Sequence, residues 1–392
     1  MNLAHEITEQ FINFFGQKPT NIFFAPGRVN LIGEHTDYNG GFVFPCALDF
    51  GTYGAARKRN DRILRFASGN FDNQYEIDMD NLVFDTAHDW SNYLKGVVAE
   101  FLQLGKKING FDFFIQGDIP NAAGLSSSAS IELLTAFAIN SLYDCQVPMK
   151  EMTLLSQRAE NQFVGVNCGI MDQYTVGFGK SGFALLLDCQ EVQHEYVPLN
   201  LGDNMLIIAN TNKQRGLADS KYNERRGECE AALAIFQKVT DIKSLCDLTH
   251  DTFTKHKHLL KDPILTARTT HVVYENDRTK EAVKVLNSSD IKSFGKLMNE
   301  SHISLKDQYE VTGPELDALA EAAWKVNGVL GSRMTGAGFG GCTVSVVAKN
   351  AVDDFIKSVG EEYVNKTGLT ASFYTAQTGN GVRELPFPIN GE

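Results

Sequence analysis

The chain reads as an α+β protein of two domains built on mixed or antiparallel sheets, and three observations carry that reading. Its 392 residues exceed what one ordinary hydrophobic core organises. Hydrophobic residues make up 43% and charged residues 21%, the mixture of a folded globular chain and not of a disordered or fibrous one. Stretches of period-two alternation and of helical spacing follow one another irregularly, which disfavours a parallel βαβ repeat. A break in pattern near residues 190–200 sets a first domain at 1–185 and a second at 186–378. A tail over 379–392, with Pro386 and Pro388, is expected to fold back on the first domain.

The elements justify this in order. Ile7, Phe11, Phe14 and Phe15 share one helical face and Gly16 closes the segment, so an amphipathic helix comes first. The apolar run Ile22-Phe23-Phe24 reads as a strand delivering a polar, glycine-jointed turn over residues 25–41. That turn holds Arg28, Glu34, His35 and Asp37, with glycines at 27, 33, 40 and 41 that let backbone approach a ligand closely. Residues 42–58 and 63–79 alternate as strands, residues 90–104 have helical spacing through Tyr93, Val97 and Phe101, and residues 111–115 form another strand.

The next stretch, residues 117–130, ends in Gly124-Leu125-Ser126-Ser127-Ser128-Ala129-Ser130 and runs straight into a strongly helical segment over 131–143. Such a turn presents unpaired N–H groups, hydroxyls and the positive end of the helix dipole, a natural seat for phosphate; serines that simply cap the helix are the alternative. Residues 152–164 are helical and carry Glu160. Asp172 follows among Ile170, Met171 and Tyr174, where an aspartate either bonds backbone structurally or does chemistry. Strands at 183–189 and 205–210 precede helices at 222–236, 270–286, 290–309 and 315–326, with strands again at 342–348 and 371–376.

Two apparent nucleotide motifs fail on context. Gly179-Lys180-Ser181 lacks the upstream glycine of a Walker A loop, because Tyr174 stands there. Gly336-x-Gly338-x-x-Gly341 precedes a β-branched run, whereas a dinucleotide fingerprint must open a helix. What remains is a glycine-rich loop over 335–341 that either approaches a ligand or another backbone, or is a tight connection.

Charge and cysteines bound the partners. A net charge of -12 argues against nucleic acid or an anionic membrane surface. Seven scattered cysteines without a C-x-x-C pair read as reduced thiols of a cytoplasmic protein. No basic, apolar leader and no apolar run of about 18 residues is apparent, so neither export nor a membrane span is expected.

Residues 26–41, 120–130 and 335–342 together resemble the three ordered signature motifs of the GHMP small-molecule kinases, and the extended first motif is similar to that of the galactokinases. The resemblance implies a two-domain α+β fold with the active site in the cleft between domains. It implies transfer of the γ-phosphoryl group of ATP to the anomeric hydroxyl of α-D-galactose, giving galactose 1-phosphate and ADP, in galactose catabolism. Gly124, Leu125, Ser126, Ser127 and Ser128 would hold the nucleotide phosphates, with Ser128 and Glu160 at Mg²⁺. Trp90 and Tyr93 match positions flanking adenine, with a core role for both as the alternative. Glu34, His35, Asp37, Asp172 and Tyr222 would hold the sugar. Asp172 would accept the hydroxyl proton while Arg28 stabilises charge at the transferred group. A monomer is expected. Rival readings are a related anomeric kinase for N-acetylgalactosamine, arabinose or a uronic acid, and a non-catalytic sensor of galactose and ATP.

Overall fold

The computed structural model describes residues 3–119, 124–213 and 218–387, so Pro120 to Ala123 of the second motif and the end of the tail lie outside it. Thirteen strands are described: β1 (Asn21–Asn30), β2 (Phe42–Val43), β3 (Pro45–Lys58), β4 (Ile63–Ser68), β5 (Tyr75–Asp78), β6 (Phe111–Gly117), β7 (Phe183–Asp188), β8 (Gln193–Pro198), β9 (Asn204–Asn210), β10 (Val329–Thr335), β11 (Cys342–Ala348), β12 (Ser372–Ala376) and β13 (Arg383–Leu385). The helices are α1 (Leu3–Phe15), α2 (Ser91–Gln103), α3 (Ser127–Tyr143), α4 (Met149–Arg158), α5 (Met171–Phe178), α6 (Ala218–Phe236), α7 (His250–His256), α8 (Pro263–Asn287), α9 (Ile291–Ser304), α10 (Gly313–Ala323) and α11 (Val352–Thr367).

Three sheets organise them. A six-stranded sheet runs β13-β1-β3-β6-β4-β5, antiparallel except where β4 lies parallel to β6. A four-stranded antiparallel sheet runs β10-β11-β9-β12, and a small one runs β2-β7-β8. The fold is therefore α+β with mixed sheets. Residues 383–385 of the tail pair with residues 22–24 of β1. The segment near 190–200, read as a break, instead carries β8, hydrogen-bonded to β7 along its length.

Amphipathic helices cover the sheets for the usual reason, burial of one apolar face. Leu94, Val97 and Phe101 of α2 and Leu133 and Ile139 of α3 pack on Phe23 and Phe113. A second core joins Val29, Leu31 and Phe44 to Leu206, Ile208 and Val344 and to Phe294 and Met298 of α9. Apolar packing is thus continuous from the sheet that carries the first motif to the sheet that leads into the third.

Helix α9 and strand β10 form a close seam, where Gly295 and Gly331 meet backbone to backbone. A Cβ on Gly295 would sit 2.2 Å from the Leu330 carbonyl oxygen, with no flexible side chain to yield. Gly295→Ala is expected to destabilise the fold by about 1–3 kcal/mol, the ordinary cost of overpacking. A urea melt checks this, and an unchanged midpoint would contradict it.

Candidate functional site

Strand β1 does not stop where the apolar run ends. It continues through Pro26 and Arg28 to Asn30, with a register shift against β3 between Pro26 and Arg28. Arg28 is therefore held on a sheet and not in a turn, a correction to the sequence reading, and the irregularity in register re-aims its side chain. The guanidinium is buried, and three of its five N–H groups have protein partners. Nε and Nη2 each donate to Asp172 at 2.8 Å, a two-pronged pairing, and Nη1 donates to the Gly124 carbonyl at 2.7 Å. Ser126, in the left-handed region at φ 62°, donates its hydroxyl to the second Asp172 oxygen at 2.6 Å. The Arg28 backbone N–H binds the Leu125 carbonyl at 3.1 Å. Gly336 packs so tightly on this turn that a Cβ would lie 2.8 Å from the Gly124 carbonyl oxygen. All three motifs converge here.

Asp172 lies in the first turn of α5, an element the sequence reading passed over. Opposite it, Ser127 and Ser128 open α3, so unpaired N–H groups and the helix dipole face the same space. The helix expected over 152–164 is α4 continued by a π-helical turn, Ala159–Val164, and Glu160 sits in that widened turn. Its carboxylate accepts from Gln173 at 2.6 Å and from the Ser128 hydroxyl. Burial, then Asp172, raises the Glu160 pKa to about 7, while Cys168, Ser128 and Gln173 oppose this by hydrogen bonding. Gln173 also donates to buried Glu132 at 3.0 Å, and burial followed by Glu160 pushes that carboxyl well above the usual range. This corner holds more carboxylate than cation.

Of the first-motif residues expected at the sugar, Glu34 and His35 are buried and Asp37 is partly buried. Glu34 accepts Arg333 Nη1 at 2.7 Å on one oxygen and the Gly336 N–H at 2.9 Å on the other. Burial raises its pKa against the pull of Arg333 and Arg28. His35 takes a positive φ of 63°, uncommon for a side-chain-bearing residue. Its Nδ1 meets the Tyr38 hydroxyl at 2.9 Å, which meets Tyr309 at 2.8 Å, which meets the Cys229 thiol at 3.0 Å. Burial lowers the His35 pKa to about 3, so the ring is neutral, and Nε2 is buried without a well-aligned partner. Tyr222 stacks obliquely beside it, ring centroids 5.6 Å apart.

Asp37 completes the group, in space that only a glycine at 169 leaves, since a Cβ there would fall 1.9 Å from its carboxylate. Burial raises the Asp37 pKa from 3.8 to about 7, reinforced by Asp172 and Glu34 and opposed by the Tyr38 backbone and Arg226. A raised acid favours the folded state while protonated. Stability is therefore present below about pH 4 and lost as pH rises through about 7, by about 1.4 kcal/mol for each pH unit crossed in that window. Asp37→Asn is expected to remove that decline, checked by melting both proteins from pH 5 to 8. Parallel curves would contradict it.

One cavity of about 180 Å³ gathers these groups. It is lined by Arg28, Glu34, His35, Asp37, Gly124, Ser126, Ser127, Ser128, Glu160, Asp172 and Tyr222, together with Val166, Cys168, Gly169, Met171, Gly336 and Ala337. Three of the expected residues do not line it. Leu125 turns its side chain into the second core. Trp90 is 4% exposed in the first core, packed near Phe71 and Tyr75, with Tyr93 half-buried beside that core. The Trp90 Nε1 is buried without a partner among the described residues. Arg333 is the residue sequence reasoning missed most completely, 0% exposed in a strand yet bonded to Glu34 and to the Asn30 carbonyl. The loop at 335–341 was singled out, and it is the hairpin between β10 and β11 that brings Gly336 to Glu34 and the cavity.

Comparison with known proteins agrees along the whole chain. Residues 9–58 match the galactokinase galactose-binding signature, residues 92–180 the GHMP kinases N terminal domain, and residues 282–365 the GHMP kinases C terminal region. A galactokinase of Clostridium acetobutylicum is 53% identical over 98% of this chain and 100% of its own length. One of Fusobacterium nucleatum is 57% identical over 93% and 94%. The crystal structure of Lactococcus lactis galactokinase complexed with galactose superposes with a TM-score of 0.96 at 47% identity, covering 98% of this chain and 100% of that one. A mevalonate kinase of Methanococcus jannaschii, at 20% identity and a TM-score of 0.66 over 92% and 98%, shares the fold.

Proposed function

The chain belongs to the galactokinases of the GHMP kinase family, ATP-dependent enzymes that phosphorylate galactose at its anomeric hydroxyl, and on that premise we propose how its own residues divide the work. Glu34, His35, Asp37 and Tyr222 hold the sugar. A hexose presents hydroxyls that both donate and accept, and carboxylates beside a neutral imidazole pair with them in both senses. Asp172 orients the anomeric hydroxyl and accepts its proton. Arg28, paired to Asp172 through two nitrogens, faces the transferred phosphoryl group and stabilises its charge. The single observation carrying this is that pairing, set where the three motifs meet and inside the cavity that Ser127 and Ser128 also line.

The nucleotide phosphates take the Gly124 to Ser128 turn and the N-terminus of α3, with Trp90 and Tyr93 toward the adenine. Mg²⁺ suits Ser128 and Glu160, since Glu160 lies beside Glu132 and Asp172 in an excess of buried negative charge. Bound there, the ion would supply charge neutralisation for the phosphates. A cytoplasmic setting is the accompanying reading, supported by seven free cysteines, five of them buried, and a monomer is proposed with it. No helix among the described residues is long and apolar enough to cross a membrane.

Galactose-dependent release of ADP in the presence of Mg²⁺ tests the whole reading. A silent protein that binds both ligands would be a sensor instead. A sugar panel separates the related kinases, and a kcat/KM for N-acetylgalactosamine above that for galactose would reassign the substrate.

A further inference from the structure

Helix α8 lies behind the Gly33–His35 turn and takes hold of it from both ends of one residue. Glu275 is fully buried, and its Oε1 accepts the N–H of Gly33 at 3.0 Å, the N–H of Glu34 at 3.3 Å and the Ser301 hydroxyl at 2.5 Å. Its Oε2 is paired with Arg278. One helical turn earlier, His271 places Nε2 at 3.0 Å from the Glu34 carbonyl and Nδ1 at 2.8 Å from the Ser304 hydroxyl. A carbonyl can only accept, so Nε2 carries the proton and Nδ1 accepts from Ser304.

Successive N–H groups in a turn with positive φ, here Gly33 at 94° and His35 at 63°, form a nest that binds an anion. In this chain the anion is a carboxylate of another helix. Burial alone would raise the Glu275 pKa, but Arg278, His271 and Arg333 hold it at about 2, so the charge is permanent in the working range. With Arg333 and Gly336 on the carboxylate, every polar group of Glu34 has a protein partner. Each carboxylate oxygen keeps a lone pair for a further donor, and its direction is fixed.

We infer that Glu275 and His271, braced by Arg278, Ser301 and Ser304, are positioning residues that aim the Glu34 carboxylate at the sugar, so that sugar discrimination is set partly from α8. Arg278 is the useful handle. It is not among the residues lining the cavity, and its ion pair is with Glu275 and not with Glu34. The inference rests on the reading that Glu34 faces the sugar.

Steady-state kinetics of Arg278→Gln, Arg278→Lys and Glu34→Gln on galactose and its monodeoxy analogues test both. Arg278→Gln leaves Glu275 without its cation, and it is expected to raise KM for galactose about tenfold while kcat stays within about threefold and KM for ATP does not move. The preference for galactose over the analogue lacking the hydroxyl that Glu34 reads should shrink by a similar factor, and Arg278→Lys should restore most of it. Should Arg278→Gln fail to fold, Ser301→Ala removes one donor to Glu275 and is expected to move KM in the same direction by a smaller factor. If Glu34→Gln raises KM for galactose while the folded Arg278 and Ser301 variants do not, α8 plays no part in recognition. If Glu34→Gln leaves KM unchanged, the sugar-facing reading of Glu34 falls, and this inference with it. A loss of active protein with KM and sugar preference intact would make the cluster structural only and would also overturn the inference.

Discussion

Asp172→Asn is expected to lower kcat at least about 10²-fold while galactose binding stays within an order of magnitude, the signature of a lost general base. The substitution keeps the shape of the side chain. One amide oxygen can still accept from Arg28, but the amide nitrogen then faces donors that now meet the second carboxylate oxygen, Nη2 of Arg28 and the Ser126 hydroxyl. The variant thus loses its proton acceptor and loosens the Arg28 fork together, whereas Glu34, His35 and Asp37 still face the cavity. Rapid-quench turnover with galactose titration by calorimetry separates the two effects. Turnover close to that of the parent enzyme would remove Asp172 from the proton transfer.

Arg28→Lys is expected to follow, with turnover falling on the order of 10²-fold and ATP affinity much less affected. Lysine keeps the charge but brings one ammonium in place of a planar fork. Arg28 satisfies three acceptors from fixed directions, two on Asp172 and one on the Gly124 carbonyl. A lysine cannot reproduce that set, so of the ties between Asp172 and the 124–128 turn only the Ser126 hydrogen bond would remain in place. Equal losses in ATP affinity and kcat would contradict the assignment.

How much of this was legible depends on whether a residue's role is local. The turn at 124–128 could be read because serines opening a helix announce exposed N–H groups within a few residues. Residues 25–41 could be read because glycines and charges crowd together there. The strand β10 could not, since Gly331, Ser332 and Arg333 break its apolar pattern. Each does so for a distant reason: Gly331 for contact with Gly295, Ser332 for a hydrogen bond to Ser345, Arg333 for Glu34. Glu275 was hidden likewise, a charge within a long helix whose partners lie some 240 residues back in sequence. The clustering of the four-residue group Arg28, Gly124, Ser126 and Asp172 needed the fold, because nothing in the spacing from 28 to 172 fixes a distance.

The pairing of β13 with β1 has a consequence for how the molecule comes into being. The strand that carries Arg28 leaves the ribosome well before residues 383–385, which complete its edge at Ile22 to Phe24. Until residues 383–385 have been made, that apolar edge stands open to any passing strand, so a product truncated before them is the form most exposed to aggregation.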